Sequence, residues 1–172
     1  MRPGGSHLTR VAAVDCGTNS IRLLIADVNR DELIDVHREL RIVRLGQGVD
    51  GSGRLAPEAI ARTETALEDY ADLVRHHGAD AVRMVATSAT RDAANRDEFV
   101  GMVTSVLGVA PEVISGEDEA ALSFAGRCTA CRTSPVGSLL LTLVAVPPNW
   151  SRARPTGSLR CKCTAWTSAA SG

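Results

Sequence analysis

The sequence predicts an α/β fold in which helices pack against one mixed β-sheet. Three strand-like segments come first, at residues 9–16, 20–28 and 33–44, and helical and strand-like segments then alternate. This order of elements is typical of a sheet that contains both antiparallel and parallel neighbours. A chain of 172 residues with 44% hydrophobic residues is long enough to bury the core of such a domain.

The first two strands meet at a short polar turn. Residues 9–16 and 20–28 are rich in apolar side chains, and residues 33–44 alternate well enough between apolar and polar side chains for a third strand. Residues 45–54 contain four glycines and are predicted to form a loop.

Helices and short strands make up the next part of the chain. Pro57 opens a helix of good helix formers over residues 58–77, and Gly78 ends it. A buried-type strand is predicted at residues 81–86. The remaining predicted elements are a polar turn at 87–90, a helix from about Arg91 to Leu107, a short strand at 112–114, and a helix that residues 115–119 cap and that continues to Phe124.

Polar turns after the strands hold the candidate functional residues. The turn at 15–20 offers an acid, a glycine that can expose backbone N–H groups, and side chains able to hold phosphate. Because ligands bind where the strands of such sheets end, the turns at 15–20, 87–91 and 115–119 are predicted to face one cleft. Taken alone, Asp15 and Asn19 are also compatible with a purely structural hairpin turn.

Three motifs in order resemble the Ppx/GppA family of exopolyphosphatases and guanosine pentaphosphate phosphohydrolases. They are Asp-Cys-Gly-Thr-Asn-Ser at 15–20, Val-Ala-Thr-Ser-Ala-Thr-Arg-Asp-Ala at 85–93 and Val-Ile-Ser-Gly-Glu-Asp-Glu-Ala at 113–120. The segment Arg-Ile-Val-Arg-Leu-Gly-Gln-Gly-Val at 41–49 fits as well. The resemblance covers roughly residues 10–126 and implies the N-terminal lobe of an actin-like, sugar-kinase-like ATPase fold related to ribonuclease H.

The resemblance also implies a chemistry, the hydrolysis of the terminal phosphoanhydride bond of polyphosphate or of guanosine pentaphosphate. Such hydrolysis needs charge neutralisation and a positioned water molecule. A Mg²⁺ ion is the implied cofactor, and homodimers are implied for full-length relatives. The residues implied to carry the site are Gly17, Thr18, Asn19, Ser20 and Arg91 for phosphate binding, Asp15 for Mg²⁺ through a water molecule, and Glu119 for orienting or deprotonating the attacking water.

Two of these residues have alternative interpretations. The acidic run at 117–119 is also typical of an ordinary helix start, where negative charge is favoured by the helix dipole. Arg91 is also compatible with a solvated helix residue. The neighbouring motif residues are what favour a functional role for Glu119.

Charge divides the chain into two unlike parts near Gly126. Residues 1–126 carry 20 acidic and 13 basic residues, whereas residues 127–172 carry six basic residues and no acidic one. We therefore expect three segments: a flexible N-terminus at 1–9, the phosphatase lobe at 10–126 and a poorly ordered tail at 127–172.

The tail lacks a motif that the resemblance leads one to expect. The family has a second glycine-rich phosphate turn, Asp-Ile-Gly-Gly-Gly-Ser-Thr-Glu-Leu-Val, but residues 141–151 read Leu-Thr-Leu-Val-Ala-Val-Pro-Pro-Asn-Trp-Ser. When synonymous codons are chosen freely, a nucleotide sequence for these residues can be written that encodes the missing turn in another reading frame. The sequence thus predicts a frameshift at about Gly126.

The cysteines of the tail allow a different interpretation. Cys128, Cys131, Cys161 and Cys163 form two pairs of the kind that bind zinc, although the spacing within the second pair and the gap between the pairs are unusual. A basic tail with zinc would indicate a nucleic-acid-binding module with salt-sensitive binding. Cys16 is predicted to be a small buried residue.

Three functional classes remain open at this point: a phosphoanhydride hydrolase, a non-catalytic sensor of nucleotide or polyphosphate, and the zinc module. The hydrolase is favoured, with no nucleic-acid partner and little turnover by the chain as written. The sequence has no apolar run of about 18 residues and no apolar secretory segment near its N-terminus. It therefore predicts a soluble, cytoplasmic protein without a membrane partner.

Overall fold

The structure is a computed structural model that describes residues 8–28 and 33–122. The predicted tail at 127–172, its four cysteines, the end of the last predicted helix at Phe124, and residues 1–7 of the predicted flexible N-terminus lie outside the described residues. The described elements are β1 Thr9–Cys16, β2 Ser20–Val28, β3 Leu33–Ile42, α1 Val49–Ser52, α2 Pro57–His77, β4 Ala81–Ala86, α3 Ser88–Arg91, α4 Arg96–Leu107, β5 Glu112–Val113 and helical residues 116–122.

The five strands form one mixed sheet with the order β3-β2-β1-β4-β5. The first three strands pair antiparallel, whereas β4 pairs parallel with β1 and β5 pairs parallel with β4. The predicted mixed α/β sheet is therefore confirmed. In register, Cys16 pairs with Ala86 and Ala86 pairs with Val113, so the carboxyl ends of β1, β4 and β5 lie at the same edge of the sheet.

Each face of the sheet has its own core cluster. The larger cluster joins one face of the sheet to α2 and α4, and it includes the fully buried Leu67, Tyr70 and Phe99. The Tyr70 hydroxyl donates a hydrogen bond of 3.1 Å to the Ile21 carbonyl oxygen, which satisfies a polar group in this core. The opposite face carries a smaller cluster of Ala13, Leu24, Ala26, Val85 and Leu122.

The long helix begins and ends where the sequence predicts. Pro57 occupies its first turn, where the missing N–H of proline costs nothing. Gly78 ends it in the left-handed conformation with φ 65°, and its N–H donates to the carbonyl oxygens of Val74 and Arg75. Within the described residues, none of the helices has both the length and the apolar character that a membrane span requires.

Some predicted boundaries differ from the structure, and two of the differences arise from a distant contact. The predicted loop at 45–54 contains the one-turn helix α1. Most of the predicted turn at 87–90 lies in the one-turn helix α3. The helix predicted from about Arg91 begins only at Arg96, because the preceding Asn95 side chain bonds the N–H and the carbonyl oxygen of Leu55. The third strand ends at Ile42 rather than at Arg44, because the next two N–H groups donate to the Asn19 carbonyl oxygen.

The end of α2 brings positive charges together and predicts a pH dependence of stability. The His77 ring stacks on His37 with 5.3 Å between centroids and meets His76 edge-on, and Arg10 donates to the His77 carbonyl oxygen. Partial burial lowers the pKa of His77, and the charges of His37, His76 and Arg10 lower it further. The folded state thus takes up this proton less readily than the unfolded state.

We expect the stability contributed by neutral His77 to be present above the ordinary histidine pKa of about 6.5 and to be lost as the pH falls through the lowered pKa. The midpoint of urea unfolding should decrease between about pH 7.5 and about pH 5.5. The decrease should be smaller in His77→Gln. An equal decrease in that variant would contradict the assignment.

Candidate active site

Three polar turns meet at one edge of the sheet. They follow β1, β4 and β5, whose carboxyl ends are aligned by the parallel register. The Thr87 N–H donates to the Cys16 carbonyl oxygen at 3.1 Å, and the Ile114 N–H donates to the Ala86 carbonyl oxygen at 3.1 Å. These bonds extend the ladder one step beyond each strand, so the turns at 15–20, 87–91 and 115–119 begin side by side.

The first turn exposes side chains to solvent, and hydrogen bonds from the segment after β3 fix its backbone. The Gly17 N–H donates to the Ser20 carbonyl oxygen at 3.0 Å and closes the turn, and Thr18 and Asn19 are exposed. The Thr18 carbonyl oxygen accepts the Gly46 N–H at 2.9 Å. The Asn19 carbonyl oxygen accepts two N–H groups of the segment after β3. The turn is therefore rigid, with its exposed groups available to a ligand.

The first and second turns are joined by side chains. The hydroxyl groups of Thr18 and Ser88 form a hydrogen bond of 2.9 Å. Gly46 fits closely beneath them: a Cβ at this position would lie 2.3 Å from the Thr18 methyl carbon and 3.4 Å from the Ala89 Cβ. A real Cβ does not approach another carbon to 2.3 Å, so only glycine fits here without movement of Thr18.

Asp15 is a buried acid at the end of β1. Only 3% of its surface is exposed, and Arg22 Nη1 donates to its Oδ2 at 2.9 Å. Burial raises the pKa of Asp15, the Arg22 guanidinium opposes that rise, and the charge of Glu119 adds to it. Asp15 and Glu119, which are 104 positions apart in sequence, thus lie within electrostatic reach of each other.

Arg91 connects the second turn to the third. Its Nη1 donates to the Ile114 carbonyl oxygen at 3.1 Å, and its Nε donates to Asp92 Oδ1 at 3.2 Å. A guanidinium has five N–H groups, so further donors remain for a ligand. The side chain is half-buried rather than fully solvated.

Glu119 lies in the helical segment that the third turn starts. The Ser115 hydroxyl accepts the Asp118 N–H at 3.1 Å, and the Ser115 carbonyl oxygen accepts the Glu119 N–H at 2.9 Å. This arrangement is an N-cap, so the predicted cap is confirmed. Glu119 itself is half-buried and next to the edge that carries Asp15.

Several residues at this edge escaped prediction from the sequence. Arg22 could have been predicted from the register of the β1–β2 hairpin, in which it pairs directly with Asp15. Gly46 lies in the segment at 41–49 that fits the family resemblance, but its close contact with Thr18 could not be predicted, because the two residues are almost 30 positions apart. Thr90 is fully buried, and its hydroxyl has no hydrogen-bond partner among the described residues.

The cysteine in the first turn has no nucleophilic role. Cys16 is buried in the larger core cluster, as predicted. Burial raises the pKa of its thiol far above the ordinary value, and the Asp15 charge adds to the rise. Because the thiolate is the reactive form, this thiol is chemically inert at neutral pH.

A mixed sheet of this strand order, with polar turns aligned at the ends of its parallel strands, defines an α/β lobe of the actin-like, sugar-kinase-like class. The chain belongs to the Ppx/GppA phosphatase family, which matches residues 24–140. The resemblance inferred from the three motifs is therefore confirmed.

Relatives and solved structures cover the same part of the chain. The chain is 67% identical over 128 residues to exopolyphosphatase 2 of Mycobacterium tuberculosis, and the match includes 69% of this chain and 40% of the relative. A crystal structure of an exopolyphosphatase-like protein superposes with a TM-score of 0.70 at 49% identity, covering 74% of this chain and 38% of that chain.

A more distant structure shows the same lobe. The Ppx/GppA family member of Aquifex aeolicus superposes with a TM-score of 0.66 at 34% identity, covering 75% of this chain and 42% of that chain. The chain thus spans about 40% of the length of the relatives that it matches.

Proposed function

We propose that residues 10–126 form the N-terminal, phosphate-binding lobe of a hydrolase that acts on terminal phosphoanhydride bonds. The alignment of three polar turns at one sheet edge is the observation that carries this proposal. The substrates are inorganic polyphosphate or guanosine pentaphosphate, in the cytoplasm. The name of the mycobacterial relative favours polyphosphate.

The first turn is suited to hold the terminal phosphoryl group. Thr18, Asn19 and Ser20 supply the donors, while the Gly17 N–H closes the turn, and the bonds to the 43–46 segment fix the turn before a ligand arrives. Preorganised donors of this kind stabilise charge without further reorganisation. Arg91, held by the Ile114 carbonyl oxygen, supplies a cation beside the turn.

Asp15 and Glu119 have different roles in the proposed hydrolysis. Glu119 is partly exposed and is placed to orient or deprotonate the attacking water. Asp15 is buried and stays at a fixed position because Arg22 holds one of its oxygens. The other Asp15 oxygen accepts no hydrogen bond within the described residues and is free to hold a water molecule.

These two acids fit a magnesium ion that the substrate helps to bind. The described residues contain no group of three or more His, Cys, Asp or Glu side chains placed to hold a metal. Mg²⁺ usually keeps several waters and binds through one or two carboxylates together with phosphate oxygens. Bound in this way, Mg²⁺ would neutralise phosphate charge, with Asp15 holding it through water.

The second glycine-rich phosphate turn that the family leads one to expect is absent from this amino-acid sequence. The family match ends at residue 140, immediately before the segment where the second glycine-rich turn is expected. Because the match also includes residues 127–140, the proposal that residues 127–172 are translated out of frame rests on the charge and the missing motif of the tail and not on this match. The nucleotide sequence around codon 126 tests it, because codons that cannot encode the glycine-rich turn in another frame would refute the frameshift.

A second function is favoured by the same observation. A lobe with one phosphate turn and no second turn would bind polyphosphate without hydrolysing it. We expect little or no phosphate release from polyphosphate or guanosine pentaphosphate by the 172-residue chain. Robust release by this chain would refute the non-catalytic alternative.

Binding by the first turn is tested by Asn19→Ala and Asp15→Asn. We expect each variant to weaken Mg²⁺-dependent binding of tripolyphosphate about tenfold or more, because each loses a charged or hydrogen-bonded contact. Isothermal titration calorimetry on the 172-residue chain measures the affinity. Asp15→Asn should keep its fold, because burial disfavours the charge that it removes.

Arg75→Gln is the matched control. Arg75 lies at the end of α2 opposite the turns and pairs with Asp72 on the surface, so its loss changes the net charge but not the site. If Asn19→Ala, Asp15→Asn and Arg75→Gln bind equally well, the first turn is not the phosphate site. If the wild-type chain does not bind tripolyphosphate, the proposed function fails.

A further inference from the structure

One residue after β3 has an unusual backbone conformation. Arg44 has φ 51°, and it is the non-glycine residue with positive φ among those that the structure describes. A side chain longer than glycine is disfavoured in this left-handed region, because Cβ crowds the neighbouring carbonyl oxygen. Such a conformation persists only where the surrounding structure holds it, and it occurs often at functional sites.

The phosphate turn is what holds this conformation. The Arg44 N–H donates to the Asn19 carbonyl oxygen at 2.9 Å, next to the Val43 N–H on the same oxygen at 3.0 Å. The Arg44 carbonyl oxygen accepts the Gln47 N–H at 3.0 Å. Arg62 ties the segment to α2 by donating to the Val43 carbonyl oxygen and to Gln47 Oε1. The backbone of Arg44 is thus fixed against Asn19.

The guanidinium of Arg44, in contrast, is not used by the fold. Arg44 is exposed, and its side chain has no hydrogen bond or ion pair among the described residues. Most other described arginines have a carboxylate partner, as Arg22 has in Asp15 and Arg83 has in Glu112. Arg44 therefore has a strained backbone beside the first turn, and its guanidinium makes no stabilising contact among the described residues.

We propose that Arg44 is a further phosphate-binding residue, which contacts an anionic oxygen of the polyphosphate chain beside Asn19. The inference rests on the proposed function. In the order of the sheet, Arg44 follows β3 and Arg91 follows β4, so the two arginines stand on opposite sides of the β1–β2 turn. A guanidinium pairs well with phosphate oxygens because its N–H groups form a planar fork.

The test separates a ligand contact from a structural role by using three substitutions of Arg44. Arg44→Gly removes the charge and relieves the backbone strain, so the melting temperature should rise by about 4 °C or more while tripolyphosphate affinity falls about tenfold. Arg44→Gln should lose affinity to the same extent. Arg44→Lys should recover part of it. Calorimetry and thermal unfolding of the 172-residue chain give both quantities, with Arg75→Gln as the charge control.

The outcomes distinguish a phosphate contact of Arg44 from a purely structural role. Weaker binding in a more stable Arg44→Gly variant supports the contact, because a purely structural residue would not produce that combination. If Asn19→Ala weakens binding but Arg44→Gly and Arg44→Gln bind like the wild type, the Arg44 contact is wrong and the proposed function stands. If the wild-type chain binds no tripolyphosphate, both fail.

Discussion

Phe99→Ala is expected to lower the free energy of unfolding by about 3–5 kcal/mol, which is a large part of the 5–15 kcal/mol that stabilises a typical domain. Phe99 is fully buried in α4 and belongs to the core cluster shared with α2 and the sheet. Its removal leaves a cavity that the surrounding side chains fill only in part. Urea unfolding followed by circular dichroism measures the loss as a lower midpoint.

The matched variant is Phe99→Leu, which keeps most of the apolar volume and should cost much less. Phe99 lies in α4, outside the three turns of the candidate active site, and four residues separate α4 from α3. Tripolyphosphate affinity should therefore fall only under conditions in which Phe99→Ala is partly unfolded. Equal stability of the alanine and leucine variants would contradict the assignment of Phe99 to the core.

The regular part of the fold was predictable from local signals. The apolar runs of β1 and β2, the proline and glycine at the ends of α2, and the capping serine before Glu119 are each encoded within a few residues. The interruptions between neighbouring helices were not predictable from such local signals. The gap between α3 and α4 depends on a contact between Asn95 and Leu55, which are 40 positions apart.

The residues of the candidate active site also fall into two groups, those that local sequence motifs reveal and those that they do not. The residues of the first turn, Arg91 and Glu119 stand in motifs that can be recognised in sequence, and their roles remain predictions. Gly46 and Arg44 stand in the segment at 41–49, which fits the family resemblance but was predicted only as the end of a strand and the start of a loop. Their importance comes from hydrogen bonds to the carbonyl oxygens of Thr18 and Asn19, which no local pattern reveals.

Gly46→Ala is expected to disturb the first turn, at residues 15–20, more than it disturbs the fold. The new Cβ would collide with the Thr18 methyl group at 2.3 Å, and the exposed Thr18 side chain would have to rotate away. That rotation breaks the hydrogen bond between the hydroxyl groups of Thr18 and Ser88. Overpacking of this kind costs about 1–3 kcal/mol, and we expect tripolyphosphate affinity to fall about tenfold.

A second substitution identifies the collision as the cause. Thr18→Ser removes the methyl carbon that Gly46→Ala strikes but keeps the hydroxyl that bonds Ser88, so it should change little alone and should restore much of the affinity in the double variant. The coupling energy from a double-mutant cycle measures this rescue. Simple additivity of the two changes would show that Gly46→Ala acts by some route other than Thr18. The remaining contact of the new Cβ, 3.4 Å from the Ala89 Cβ, sets how complete the rescue is, because that neighbour belongs to α3 and has less freedom to move.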